Sequence, residues 1–145
     1  MRATIVDSSA IIALFDEDSE QHQEVAKAVQ RSEGSLVVSP FVVAETDYML
    51  YRRVGRRAAA KFNDDVALGA FELASWTTAD HAEALQVVRS FPGGDYIGAT
   101  DASNVVLADR YRTTDIMTLD YRRFRRLRPI WGPDYFNLLP LDEVG

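Results

Sequence analysis

Residues 3–15 read Ala3-Thr4-Ile5-Val6-Asp7-Ser8-Ser9-Ala10-Ile11-Ile12-Ala13-Leu14-Phe15. The apolar run Ala3 to Val6 is short and stops at three small polar residues. Ala10 to Phe15 then resumes with helical composition, so the stretch predicts strand, turn and helix. This is the opening of an α/β chain, and the alternation continues outward. Residues 19–31 carry Val25, Ala28 and Val29 on one stripe of an amphipathic helix, and Leu36-Val37-Val38 after Gly34 reads as a short buried strand. Ser39-Pro40 supplies a cap and a proline at the first helical position, opening a helix to about Arg53. A helix over 56–67, a strand over 71–75, helices over 79–90 and 101–112, and a strand over 115–119 complete the pattern. Breakers cluster only at Phe91-Pro92-Gly93-Gly94-Asp95, too short a segment to link separate domains. Strands divided by helices predict a single domain, 1–145, with a short and mainly parallel sheet covered by helices on both faces. Ligands of such sheets bind beyond the carboxyl ends of the strands.

Composition narrows the chemistry. Of 145 residues, 47% are hydrophobic and 26% charged, enough for a buried core and wrong for a disordered chain. There is no cysteine, which removes disulfides, thiolate-bound zinc, iron–sulfur clusters and thiol nucleophiles together. No apolar stretch is long enough to read as a membrane span, so a cytoplasmic protein without membrane contact is expected. The net charge of -6 argues against indiscriminate coating of nucleic acid. Its distribution is uneven, with Arg52, Arg53, Arg56, Arg57 and Lys61 in one basic cluster and Arg122, Arg123, Arg125, Arg126 and Arg128 in another. The rest of the chain is strongly acidic. Phosphate-binding glycine loops and a G-x-S-x-G elbow are absent, and His22 and His81 lack metal-ligand spacing and read as surface residues of helices. Trp76, Trp131 and Tyr135 are expected in the core, with stacking on nucleic-acid bases as the alternative.

Four acids stand where a parallel sheet would gather them. Asp7 closes the first strand, Asp120 follows the last clear one, Glu45 lies in the second turn after Pro40, and Asp101 opens a helix. Each has an ordinary reading. Asp7 suits a cap, although Ser8 and Ser9 also compete for that place; Asp101 suits a helix N-terminus, and Asp120 a turn. Asp47 rivals Glu45, and Asp115 rivals Asp120. Phe41, Val42, Tyr48 and Met49 surround Glu45 on the helix and predict an apolar setting for it. If the four converge, like charges at short range raise one another's pKa, and a divalent cation relieves the conflict. Asn104, one turn after Asp101, is placed to support a water on such an ion.

The segments Val6-Asp7-Ser8-Ser9-Ala10, Ala44-Glu45-Thr46-Asp47-Tyr48, Asp101-Ala102-Ser103 and Thr118-Leu119-Asp120-Tyr121-Arg122-Arg123-Phe124, in this order, resemble the PIN-domain ribonucleases, and most of all VapC toxins of bacterial toxin–antitoxin systems. The resemblance spans nearly the whole chain. It implies a PIN-like fold and a metal-dependent endoribonuclease acting on a structured RNA. The implied ligands of Mg²⁺ or Mn²⁺ are Asp7, Glu45, Asp101 and Asp120, with Ser9 and Thr118 in support beside the Asn104 read from its spacing, and Asp47 and Asp115 fall in rank. It further implies a homodimer and a VapB-type antitoxin as partner. A hydrated magnesium ion can hold a scissile phosphate and acidify an attacking water, leaving 5′-phosphate and 3′-hydroxyl ends. Arg122, Arg123, Arg125 and Arg126 are expected to contact RNA phosphates, with Phe124 and Leu127 turned inward. Thr100 departs from the apolar residue expected before Asp101. The alternative is a non-catalytic RNA- or protein-binding domain on the same fold. The presence of all four acids favours the enzyme.

Overall fold

The computed structural model describes residues 2–93 and 96–143, so Gly94 and Asp95 of the expected turn lie outside the described residues. In chain order the elements are β1 (Thr4–Val6), α1 (Ser8–Phe15), α2 (His22–Arg31), β2 (Leu36–Val38), α3 (Pro40–Arg53), α4 (Arg56–Ala67), β3 (Glu72–Leu73), α5 (Thr78–Ser90), α6 (Ala99–Arg110), β4 (Asp115–Met117), α7 (Tyr121–Arg126) and β5 (Asn137–Leu139). The five strands form one sheet in the order β3-β2-β1-β4-β5, with every pairing parallel. β1 is central: the chain leaves it toward β2 on one side and returns to β4 on the other. That reversal of strand order opens a crevice at the carboxyl edge between β1 and β4.

Period-two alternation distributes the strand residues between two cores. Ile5, Val37, Ile116 and Leu138 point to one face, where they pack with Ala84 of α5, Ala102, Val105 and Val106 of α6, and Phe124 of α7. Val6, Val38 and Met117 point to the other, against Ala10 and Ile11 of α1, Val25 of α2, Val42 and Leu50 of α3, and Phe62 of α4. Each strand is only two or three residues long, enough to fill the gap between the helix layers. Local signals hold the helix ends. The Ser39 hydroxyl accepts from Val42 N–H at 3.1 Å with Pro40 behind it, and Thr77 and Asp80 make a reciprocal capping box at α5. Gly34 is required by close approach: a Cβ there would stand 1.4 Å from the Arg2 carbonyl oxygen.

Several expectations are corrected. The sequence carries no separate signal for β5, the helix expected from residue 19 begins at His22, and the strand expected over 71–75 shrinks to two residues. Trp131 and Tyr135 are 37% and 57% exposed rather than in the core, with Arg112 lying over the Trp131 ring. Neither histidine is a plain surface residue. His22 Nδ1 meets the Ala13 carbonyl at 2.9 Å, and His81 accepts from Trp76 Nε1 at 3.2 Å, so both are half-buried packing contacts.

Candidate active site

Asp7 is the innermost acid. Its backbone N–H donates to the Met117 carbonyl at 2.9 Å, extending the β1–β4 ladder by one rung, and its backbone stays extended at the N-cap of α1. The side chain makes no capping bond there, and neither Ser8 nor Ser9 caps, since both lie within α1. Oδ2 of Asp7 instead accepts from Thr118 Oγ1 at 2.9 Å and from Ser9 Oγ at 3.0 Å, and Oδ1 accepts from Asn104 Nδ2 at 3.2 Å. Ser9 and Thr118 also fix the chain after β4, accepting from the backbone N–H groups of Leu119 and Asp120. Burial pushes the Asp7 carboxyl from 3.8 up to about 6; the charge of Asp101 adds to the rise, and the Thr118 and Ser9 hydroxyls oppose it.

Asp101, Glu45 and Asp120 reach the same place from three other elements. Asp101 sits in the first turn of α6, and nearby on that helix Ser103 meets Ser39 hydroxyl to hydroxyl at 2.9 Å, tying α6 to the start of α3. That tie joins the helices that carry Asp101 and Glu45. Asp120 caps α7, accepting from Arg123 N–H at 3.3 Å. All four acids line one cavity of about 370 Å³, with Ser8, Ser9, Thr100, Met49, Arg53 and Arg123 among its other walls. Burial raises the Asp101 carboxyl, with Arg123 pulling the other way. Glu45 is also raised, first by partial burial and then by the Asp101 charge. Glu45 is nevertheless an exposed residue at the rim, not one in an apolar surround, because Tyr48 beside it also points to solvent.

The rival acids are elsewhere. Asp47 accepts from Asn63 Nδ2 at 2.8 Å on the α3–α4 surface. Asp115, at the opposite end of β4, is held by Arg2 at 2.7 Å and by Asn137 Nδ2 at 3.0 Å.

The arginines expected on one RNA-facing surface are divided. Arg123 turns into the cavity and donates to Asp101 Oδ2 at 2.7 Å. Arg125 Nη2 donates to both carboxylate oxygens of Asp142, at 2.8 and 2.9 Å, and Arg126 lies over the Phe91 ring at 4.7 Å and donates to the Pro92 carbonyl. Those two therefore hold the fold together, while Arg122 is exposed with no ion pair among the described residues. Phe124 and Leu127 are buried as expected.

Residues 4–128 match the PIN domain. The chain belongs to the PIN-domain family. It is 45% identical over 136 residues to Ribonuclease VapC26 of Mycobacterium tuberculosis, covering 94% of this chain and 99% of that protein. Among solved structures it resembles the sarcin-ricin-loop-cleaving toxin VapC20 of M. tuberculosis, with TM-score 0.73, 20% identity, and coverage of 81% of this chain and 89% of the other. It also resembles DNA-bound VapBC of Salmonella typhimurium, with TM-score 0.67, 16% identity, and 90% and 96% coverage. Rickettsia felis VapBC2, bound to a fragment of its promoter, gives TM-score 0.65, 13% identity, and 94% and 96% coverage. At these identities the structural likenesses establish the PIN fold and its sheet.

Among the described residues of this PIN domain, no three acidic or histidine side chains form a ready-made metal cage. The donor set still fits a hard divalent cation. It is all oxygen, the charge of Asp101 disfavours that of the buried Asp7, and the buried Asn104 amide that donates to Asp7 has an oxygen without a partner. Magnesium takes few protein carboxylates and keeps several waters, so Asp7 and Asp101 are the pair suited to hold it, with Glu45 and Asp120 on the same walls. Arg53, which the sequence shows only as part of a basic cluster, is a cavity residue, and Glu45, Met49 and Arg53 recur at four-residue spacing along one face of α3.

Proposed function

We propose that this PIN domain is a metal-dependent endoribonuclease, the toxin of a toxin–antitoxin pair, using Mg²⁺ or Mn²⁺ to hydrolyse a phosphodiester of a structured cellular RNA. The observation that carries the reading is the convergence of Asp7, Glu45, Asp101 and Asp120, from four separate segments, on one cavity at the reversal point of the sheet. The 45% identity to Ribonuclease VapC26 supports the choice of RNA as substrate. The presence of VapBC complexes among the structural neighbours supports a VapB-type antitoxin as partner. A homodimer and a cytoplasmic setting complete the proposal. Among the described residues no helix is long and apolar enough to cross a membrane.

In this reading Asp7 and Asp101 hold the ion, and Ser9, Thr118 and Asn104 keep the Asp7 carboxylate aimed at it. When bound, the ion supplies charge neutralisation for the phosphate and a water acidic enough to attack near neutral pH. Glu45, at the rim with its carboxyl raised above the ordinary range, takes the proton of the attacking water on a carboxylate oxygen. The water oxygen bonds to phosphorus as the P–O3′ bond breaks, and the leaving O3′ takes a proton from solvent, giving 5′-phosphate and 3′-hydroxyl ends. Arg122 at the surface and Arg53 on the cavity wall are the groups presented to flanking phosphates.

The test is exposure of total cellular RNA to antitoxin-free protein with Mg²⁺, with EDTA, and with the Asp7→Asn variant, followed by mapping of fragment ends. Discrete fragments that need both metal and Asp7 are expected and would name the RNA. Intact RNA throughout, from folded protein, would replace the enzyme by a binding domain on the same fold.

A further inference from the structure

The positive charge paired with these acids comes from the chain itself. Arg123 Nη1 donates to Asp101 Oδ2 at 2.7 Å, Nε lies 3.8 Å from Asp120 Oδ2, and the backbone N–H of the same residue donates to Asp120 Oδ1 at 3.3 Å. The placement follows from the helix. Side chains lean toward the helix N-terminus, so a residue three positions into α7 reaches back over its own cap, and the cap here is Asp120. Asp101, Asp120 and Asp7 all favour the charged guanidinium, which strengthens its hold on the cavity mouth. The Arg123 side chain is 45% exposed, so the way outward is open, whereas its Asp101 partner is only 13% exposed.

We infer that Arg123 is a built-in counter-ion of the cavity, seated against Asp101 and Asp120, and that it competes with a divalent cation for these carboxylates. The inference rests on the reading of the cavity as a divalent-cation site. A dication drawn to Asp7 and Asp101 repels a guanidinium already paired with Asp101, so loading the cation requires Arg123 to release that carboxylate and turn toward solvent. The released fork, with its fixed planar donors, is then placed to take a phosphate oxygen of the substrate at the cavity mouth. The neighbouring Arg122 is a natural control: it carries the same charge one residue away, and among the described residues no ion pair joins it to any of the four acids.

The experiment is calorimetric titration of Mn²⁺ into wild type, Arg123→Gln and Arg122→Gln, at one pH and salt concentration. Arg123→Gln is expected to bind Mn²⁺ about ten-fold more tightly than wild type, and Arg122→Gln to stay close to wild type. Equal or weaker binding by Arg123→Gln, with clear binding by wild type, overturns the competition and leaves the metal site standing. Absence of Mn²⁺ binding in all three overturns both. Should Arg123→Gln fail to fold, the wild-type Arg123 Nη1–H signal, the one bonded to Asp101, is followed by NMR at low temperature during Mg²⁺ titration. Faster exchange with solvent at saturation supports release from Asp101, and unchanged protection overturns it.

Discussion

Asn104 Nδ2 donates to Asp7 Oδ1 at 3.2 Å, while the oxygen of the same amide is buried with no partner. Asp7 is thus held by three donors, while its burial and the charge of Asp101 disfavour the ionised carboxyl. Such an arrangement costs stability and is suited to a cation.

Asp7→Asn is therefore expected to abolish cleavage and yet stabilise the protein. An amide at position 7 can still accept from Thr118 and Ser9, and its N–H₂ can donate to Asn104 once that amide turns over. The sign of the pH dependence follows from the raised carboxyl. With a folded-state pKa of about 6 against 3.8 unfolded, folded protein binds the proton more strongly, so wild type loses stability as pH rises from about 4 through about 6. The variant lacks that loss. Thermal melts in EDTA should show Asp7→Asn more stable at pH 7 by about 1–3 kcal/mol, with the gap closing near pH 4.

Thr118→Val keeps the volume and removes a hydroxyl that donates to Asp7 and accepts from Asp120 N–H. The buried Asp7 carboxyl and the part-buried Asp120 N–H lose a partner at once, and a loss of about 1–3 kcal/mol is expected in denaturant titration. Thr118→Ser, which retains both bonds, should recover most of it. Cleavage by Thr118→Val should fall further than its residual fold accounts for, because Asp7 loses a donor to its charged form.

Asp115→Ala separates structure from chemistry. The side chain joins Arg2 to Asn137 and so fastens β1 and β5 to β4, far from the cavity. A destabilisation of about 1–3 kcal/mol is expected in urea, with cleavage per folded molecule unchanged. Loss of cleavage in fully folded Asp115→Ala would move the active centre to the other end of the sheet.

Arg125→Gln should behave as a stability variant, not a binding variant. Arg125 holds the Asp142 carboxyl below its ordinary range, and Asp142 accepts in turn from Leu138 N–H of β5. The stability from this lowered carboxyl is fully present above about pH 4 and is lost as pH falls through its folded-state value. The variant should lose about 0.5–1 kcal/mol near neutral pH, a small amount because the pair is partly exposed, and should show a shallower acid limb. RNA affinity and its salt dependence should stay as in wild type, while Arg122→Gln reduces both.

The sequence is readable where local rules act alone. Val6-Asp7 before a helix, Ser39-Pro40 as a helix start and Thr118-Leu119-Asp120 after a strand each carry their own signal, and the fold seats them as those signals imply. β5 escapes because Asn137-Leu138-Leu139 is three residues long, lies next to a proline, and is defined by its pairing with β4. The division of the arginines escapes for a different reason. Arg122, Arg123, Arg125 and Arg126 look alike in sequence, and only tertiary partners from the cavity, the C-terminal segment and the α5 end tell them apart. Glu45 departs from its expected apolar setting because apolar helical neighbours bury a residue only if they are themselves covered, and the adjacent Tyr48 faces solvent.

The most direct test of the central claim is single-turnover cleavage of the mapped RNA site by four variants, each confirmed as folded: Asp7→Asn, Asp101→Asn, Asp47→Asn and Asp115→Asn. The first two are predicted to lose cleavage by at least about a hundred-fold, roughly 2.7 kcal/mol of barrier, while the last two cleave as wild type does. Retention of cleavage by Asp7→Asn and Asp101→Asn would contradict the assignment of the active site.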